Sequence, residues 1–243
     1  MGTFSYGKRL QAIVRRKIEN NMAAFLFKDL GRTGYEEALK AQTTAFERLL
    51  EQKKNRETGD CVLFFCEHNH VYTTGKNGNE SNLLASEELL KTKGATLFHA
   101  NRGGDITYHG AGQITGYPVF DLERWGIGLK EYIFRLEEVV IRFLALYGLR
   151  GERMAGATGV WIDAAVPGKA RKICAIGVKS SRYVTMHGFA LNVNTDLSYF
   201  SLINPCGFTD KGVTSLAREL GETQDFEKAK KDLYRLFISC FNR

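Results

Sequence analysis

The chain has 243 residues, with 34 Lys+Arg against 27 Asp+Glu, 44% hydrophobic residues and 12% aromatics. This is an ordinary globular composition, which excludes a disordered or collagen-like chain, and no apolar run reaches the ~18 residues that a membrane span needs. The five cysteines, Cys61, Cys66, Cys174, Cys206 and Cys240, are odd in number and scattered, which argues against a disulfide scaffold and for a reducing, cytoplasmic setting.

The net charge of +7 is unevenly placed. Residues 1–20 hold Lys8, Arg9, Arg15, Arg16 and Lys17 against Glu19, a local excess of +4, so the other 223 residues carry +3. The basic excess is therefore mostly a tail property. It is weak support for a nucleic-acid partner, and none is expected. Leu10, Ile13, Val14 and Ile18 recur at helical spacing in this tail. Residues 1–21 read as a basic N-terminal extension, with a presequence or a surface-binding helix as other readings; stable membrane association is not expected. Residues 22–243 read as one catalytic domain.

In chain order, Phe25–Phe27 reads as a strand followed by a turn at Gly31–Gly34. Tyr35, Leu39, Gln42, Phe46, Leu49 and Leu50 mark one helix face, broken by Gly59-Asp60. Cys61–Cys66 is a continuous apolar run, as in a strand buried on both faces. Val71–Thr74 is a second strand, and a short helix is predicted around Ser86–Lys93. Thr96–His99 and Ile106–Tyr108 read as strands around a glycine turn, with Tyr117–Leu122 extended. The longest helix spans Leu129 to Tyr147, with Gly148 placed to end it. Three β segments follow, Gly159–Asp163, Lys172–Lys179 and His187–Asn194, then helices at Ser215–Leu220 and Phe226–Phe241. Strands grouped in the middle predict an α+β fold, a mixed β-sheet packed by helices.

Four features carry candidate chemistry. The segment Arg102-Gly103-Gly104-Asp105-Ile106-Thr107-Tyr108-His109-Gly110-Ala111-Gly112-Gln113 fits no dinucleotide or phosphate-loop spacing; it is either a structural hairpin or a ligand-binding loop. Cys206 lies in Asn204-Pro205-Cys206-Gly207, so it is a turn residue or a nucleophile held in a turn. A free thiol of pKa ~8.5 is only ~3% thiolate at neutral pH, so a reactive one needs a nearby cation. The other four cysteines sit in strand or helix patterns and read as small core residues. His68-x-His70 places two imidazoles on one strand face but lacks further metal ligands at a familiar spacing. Finally, alternation puts Ala175 with Gly177 on one face of a strand, and Gly188 with Ala190 on one face of another. Two small–small pairs fit either close helix packing or a trough for an extended acyl chain.

Taken together and in order, several segments resemble a known family. They are Glu67-His68-Asn69-His70-Val71-Tyr72-Thr73-Thr74-Gly75, Arg102–Gln113, Gly116-Tyr117-Pro118, Gly159-Val160-Trp161 and Lys172-Ile173 through Gly177. His187–Asn194, Asn204-Pro205-Cys206-Gly207 and Val213-Thr214-Ser215-Leu216 complete the set. The chain is similar, over roughly residues 24–220, to the octanoyl-carrier-protein:protein octanoyltransferases of lipoate biosynthesis. Ala111 stands where the family usually has Pro, and His70 and Thr74 depart from its typical residues.

The resemblance implies the fold of biotin and lipoate protein ligase catalytic domains, with an acyl pocket over the sheet. It implies a Cys206 nucleophile with Lys172 as its partner, and a pocket formed by Arg102, Gly103, Gly104, Asp105, Ile106, Thr107, Tyr108 and His109 with Ala175, Ile176, Gly177, Gly188, Phe189 and Ala190. It further implies an octanoyl donor on the phosphopantetheine arm of acyl carrier protein, and lysine acceptors on lipoyl domains of 2-oxoacid dehydrogenase E2 subunits and glycine cleavage H protein, with no ATP or metal. His109 and His187 are expected to shape the pocket rather than act as bases. The alternatives are an ATP-dependent lipoate or biotin ligase on the same fold, a binding module driven by the basic tail, and a thiol hydrolase.

Overall fold

The computed structural model describes residues 24–76, 78–204 and 211–241. The N-terminal extension and Cys206 lie outside the described residues.

An eight-stranded mixed sheet forms the body. It contains β1 (Leu26–Thr33), β2 (Val62–His68), β6 (Gln113–Val119), β10 (Val184–Asn192), β9 (Arg171–Ser181), β8 (Ala157–Ile162) and β7 (Glu152–Met154) in that spatial order, with β11 (Gly212–Val213) added beside β9. The β1–β2 and β11–β9 pairs are parallel and the other neighbours antiparallel. A second sheet has three strands, β4 (Thr96–His99), β3 (Val71–Thr74) and β5 (Thr107–His109), in the order β4-β3-β5. This is the α+β architecture expected from the grouping of strands.

Helices cover both faces of the large sheet, which explains the uninterrupted apolar run in β2. Helix α1 (Tyr35–Lys54) packs beside Leu26, Val62 and Phe64 on one face. Helix α5 (Phe226–Phe241) packs on the other, where Phe237 stacks on Phe189 at 5.5 Å and meets Phe65 edge-on. Helix α3 (Leu129–Ala145) lies beside α5, burying Leu136, Val140, Phe143 and Leu144 at helical spacing. Short helices α2 (Glu87–Thr92) and α4 (Leu216–Leu220) complete the set, each capped by a serine hydroxyl, Ser86 and Ser215. No helix among the described residues is long and apolar enough to cross a membrane.

Several boundaries shift by a few residues from the sequence reading, and three differences have a clear physical reason. Gly31 does not end β1. It sits at φ +63° with its N–H on the Asp29 carboxylate, and the register shifts there, so the expected turn is a bulge within one strand. Strand β6 begins at Gln113 rather than Tyr117, because Gly116 belongs in the strand: the Phe189 ring occupies the space a Cβ would need. The two histidines of His68-x-His70 do not share a strand face, since β2 ends at His68 and His70 lies in the turn before β3.

Candidate active site

A cavity of about 430 Å³ lies over β9 and β10, beneath the small sheet and its 102–106 segment. Its floor depends on register. Ala175 faces Ala190 and Gly177 faces Gly188 directly across the β9–β10 ladder. Between them Ile176 faces Phe189, and these two pack with the apolar core instead. Alternation thus sends both small pairs to the cavity side and turns both large residues toward the helices, although Ile176 and Phe189 still contribute to the lining.

Lys172 stands at one end of this floor. Its Nζ lies 4.6 Å from the centroid of the Trp161 ring, and Trp161 is itself fixed by an Nε1–H bond to the Ala157 carbonyl, 2.9 Å. Gly159, at φ +123°, lets the neighbouring strand approach: a Cβ there would meet the Cys174 carbonyl oxygen at 2.5 Å, with the Lys172 stem at an ordinary 3.5 Å. The chain returns to the sheet beside this lysine. Gly212 N donates to Ala170 O at 2.9 Å and Thr214 N to Lys172 O at 3.0 Å. On the other side, Asn204 N donates to Asn82 O at 2.8 Å. These two anchors hold the chain near Asn204 and Lys211, the described residues on either side of 205–210, which include Cys206.

The two anchors are held by different contacts, the first partly buried and the second buried. Before Asn204, a 3-10 turn at Leu197–Leu202 is held to the small sheet by an aromatic stack: Tyr199 lies 4.3 Å from the His70 ring and 4.9 Å from Tyr108. After Lys211, the Thr214 carbonyl accepts from Asn192 Nδ2 at 3.0 Å. Asn192 Oδ1 accepts from Gln113 Nε2 at 2.9 Å, and Gln113 Oε1 accepts from His109 Nδ1 at 2.9 Å. The Thr214 hydroxyl donates to Glu219, whose carboxylate also takes both ends of the Arg171 guanidinium fork at 2.6 Å. Glu219 is held below the usual carboxylate range chiefly by that arginine.

The cavity's other walls are polar and buried. Arg102 is 8% exposed, donating to the Thr73 carbonyl and hydroxyl and to Gly103 O. His68 donates from Nδ1 to Thr33 O at 3.2 Å and accepts the Tyr117 hydroxyl at Nε2, 2.7 Å. Burial lowers its pKa to about 4. His187 is lowered to about 4 by burial and then by Arg102 and Lys179, and His109 is pushed far down by burial, His68 and Arg102. These three imidazoles are neutral hydrogen-bonding groups at pH 7. A base poised near neutrality is not among them.

Of the residues expected at the pocket, Arg102, Gly104, Asp105, Ile106, Thr107 and His109 line the cavity with Lys172, Ala175, Ile176, Gly177, Gly188, Phe189 and Ala190. Gly103 and Tyr108 do not. Gly103 packs over β9 with its N–H on Val178 O at 2.9 Å, and Tyr108 is fully buried in the small-sheet core with its hydroxyl on His70 Nδ1, 2.6 Å away. The two glycines of the floor also differ from the expectation of open space. A Cβ on Gly177 would lie 2.7 Å from Gly103 O, and one on Gly188 would strike Gly116 O. Their smallness admits backbone, whereas Ala175 and Ala190 are the small side chains that leave floor open. The lining also holds Gln113, the last residue of the candidate loop, and residues outside the expected pocket: Tyr35, Tyr117, Gly156, Ala157, Thr158, Asn192, Phe200 and Val213. Helical spacing made Tyr35 a core residue, and nothing local distinguishes the others. Cys61, Cys66 and Cys174 are buried free thiols, each shifted up by burial, as inert core residues are.

Residues 36–238 match the lipoyl protein ligase A/B catalytic domain. An octanoyltransferase of Parabacteroides distasonis is 67% identical over 220 residues, covering 90% of this chain and all of that protein. One from Bacteroides fragilis is 58% identical over 206 residues, covering 85% of this chain and 93% of the relative. Among solved structures, the bipartite lipoate protein ligase of Thermoplasma acidophilum superposes with a TM-score of 0.66 at 16% identity, covering 90% of this chain and 84% of that one. Lipoate-protein ligase A bound with ATP gives 0.65 at 16%, covering 89% and 85%. These two structures establish a shared fold, and the sequence identities place the chain within it: it belongs to the lipoyl protein ligase A/B catalytic-domain family, on the octanoyltransferase branch.

Proposed function

We propose that this enzyme transfers an octanoyl group from acyl carrier protein to the lysine of a lipoyl domain, through a thioester on Cys206. The observation that carries the reading is the position of Lys172, at one end of a cavity floored by Ala175 and Ala190 and hydrogen-bonded to the strand that follows residues 205–210.

In the first step the Cys206 thiolate attacks the carbonyl carbon of the donor thioester. The bond to the phosphopantetheine sulfur breaks, and that thiol leaves with a proton. The Lys172 ammonium stabilises the thiolate and supplies the proton. In the second step the neutral acceptor amine attacks the Cys206 thioester, its carbon–sulfur bond breaks, and an amide forms while Cys206 is released as the thiol, taking the remaining amine proton. An acceptor lysine of pKa ~10.4 must lose a proton first, which costs about 4.6 kcal/mol at pH 7. Lys172, neutral after the first step, takes that proton. One thioester replaces another and an amide replaces the second, so the sequence of steps requires neither ATP nor a metal. The acyl chain lies on the Ala175–Ala190 floor, where burial stabilises it by ~0.8 kcal/mol per methylene. The acceptors are lipoyl domains of 2-oxoacid dehydrogenase E2 subunits and glycine cleavage H protein, in a cytoplasm that keeps the nucleophile reduced.

The test is incubation with octanoyl carrier protein and an apo lipoyl domain in the absence of nucleotide, followed by intact mass measurement of all three proteins. An octanoyl adduct on the enzyme and an octanoylated lipoyl domain are expected. Product formed only when ATP and free octanoate are supplied would replace this reading with an acyl-adenylate ligase.

A further inference from the structure

Register orders the cavity from one end to the other. Along β9 the lining runs Lys172, Ala175, Gly177, and the antiparallel β10 supplies Asn192, Ala190, Gly188 and then His187. His187 pairs with Val178, so it is the β10 lining residue farthest from Lys172, six residues along β9 or about 20 Å at ~3.3 Å per residue. At that point the cavity is crossed by the 101–103 segment. Gly103 N donates to Val178 O at 2.9 Å, and Gly103 O lies in the space a Gly177 side chain would need.

His187 is built unusually for a strand residue. Its φ is +58°, a left-handed conformation that costs a non-glycine residue and persists only when surrounding contacts hold it. Two contacts do so. Its backbone N–H donates to Gln42 Oε1 of α1 at 3.1 Å, and its ring Nε2 donates to Asn101 Oδ1 at 2.9 Å. The first fixes the left-handed backbone; the second ties the ring to the segment that crosses β9. His187 is 2% exposed while Asn101 is exposed, so this bond joins a buried ring at the far end of the cavity to a side chain at the surface.

We propose that His187 is a positioning residue that sets the acyl-chain length limit, holding the 101–103 segment, and with it the lining residue Arg102, at the far end of the cavity through its bond to Asn101. This rests on the transferase reading and assigns that site its upper limit on substrate length. A chain longer than the cavity must displace the segment, and the His187–Asn101 and Gly103–Val178 bonds oppose that displacement.

The experiment is a competition in one vessel between octanoyl, decanoyl and dodecanoyl carrier proteins for a limiting apo lipoyl domain, with the acylated products resolved by intact mass. The wild type, His187→Ala and Asn101→Ala are compared. The product ratio cancels losses in folded fraction, which a purely structural role would cause. The decanoyl-to-octanoyl ratio is expected to rise about tenfold in each variant, the order of discrimination a hydrophobic pocket exerts per methylene. The double variant should rise no further than either single one, since both act on one contact. His187→Asn, which tolerates the left-handed conformation, should fall nearer the wild type than His187→Ala does. A ratio unchanged within twofold in Asn101→Ala overturns the proposal, and so does a shift in His187→Ala without one in Asn101→Ala. Should His187→Ala fail to fold, Asn101→Ala, altered at an exposed side chain, decides alone. A wild type that transfers no octanoyl group would refute the transferase reading itself, which is a different result.

Discussion

Substituting Gly177 by alanine tests whether the far half of the cavity floor is open or filled. The added methyl would sit 2.7 Å from the Gly103 carbonyl oxygen, 3.3 Å from Arg102 Cδ and 3.4 Å from Arg102 Nη1. The nearest atom is backbone, and Gly103 is tied to β9 by its own N–H bond to Val178, so the carbonyl must retreat from 2.7 Å to an ordinary contact at 3.4 Å or beyond. Overpacking of this kind costs ~1–3 kcal/mol. Restricting the unfolded chain by replacing glycine returns ~0.4–1 kcal/mol. The expected net loss is about 1–2 kcal/mol, which lowers Tm by about 2–8 °C for a domain of this size. Had the glycine faced an empty trough, only the unfolded-state effect would operate and alanine would stabilise. The sign therefore decides. Urea unfolding and calorimetry of the two proteins give it, and an equal or higher stability of Gly177→Ala would refute the claim that the 101–103 segment fills this space.

Cys206→Ala should abolish the octanoyl adduct in the intact mass of the enzyme; an adduct that persists moves the nucleophile to another residue. Lys172→Arg keeps a cation that cannot shed its proton. It should retain some acylation of Cys206 and lose transfer to the lipoyl domain, and normal turnover would remove Lys172 from the base role. The buried imidazoles predict an acid-side loss of stability. Both His68 and His187 have folded pKa values of about 4 against 6.5 for the free side chain, so the unfolded state binds more protons between those values. Stability is complete above about pH 6.5 and declines as pH falls toward 4, on the order of 3 kcal/mol for each group. A His68→Gln variant should show a shallower decline in urea midpoint over that range, and an unchanged slope would mean that this imidazole charges freely in the folded protein.

How much of this was legible in the sequence varies with the range of the interaction that decides it. The β2 run and the α3 stripe were readable because burial on two faces and burial on one helical face each leave a local pattern. Strands β7 and β11 were not, since three and two residues become strands only by virtue of a partner. Gly31 was misread because a bulge glycine and a turn glycine look alike until the pairing strand is known. At the site, alternation found the four small residues of β9 and β10, but not that they face each other in pairs, and not that Gly177 is covered by a segment more than 70 positions earlier. The His109–Gln113–Asn192–Thr214 chain was invisible for the same reason: Gln113 and Asn192 are 79 residues apart, and each is an ordinary strand-end polar residue by itself.

The placement of the two anchors links the chemistry to the acyl cavity more closely than either does alone. The stretch from 205 to 210 starts from a turn fastened to the small sheet and ends on a strand of the large one. The cavity lies between the same two sheets, and two of its walls, Phe200 and Val213, belong to the anchors themselves. Whatever fills the cavity therefore touches the residues that fix both ends of the cysteine-bearing stretch. In the proposed mechanism, burial of an acyl chain and the approach of the thiol to Lys172 would then be coupled through Phe200 and Val213. A chain filling the Ala175–Ala190 floor would, in that mechanism, add contacts to these two residues that a shorter chain does not make. The expected outcome is that truncating the acyl tail, remote from the bond being broken, lowers the rate of transfer from saturated enzyme as well as the affinity, which is how binding energy away from the reacting atoms raises a rate. An unchanged rate at saturation would refute this coupling.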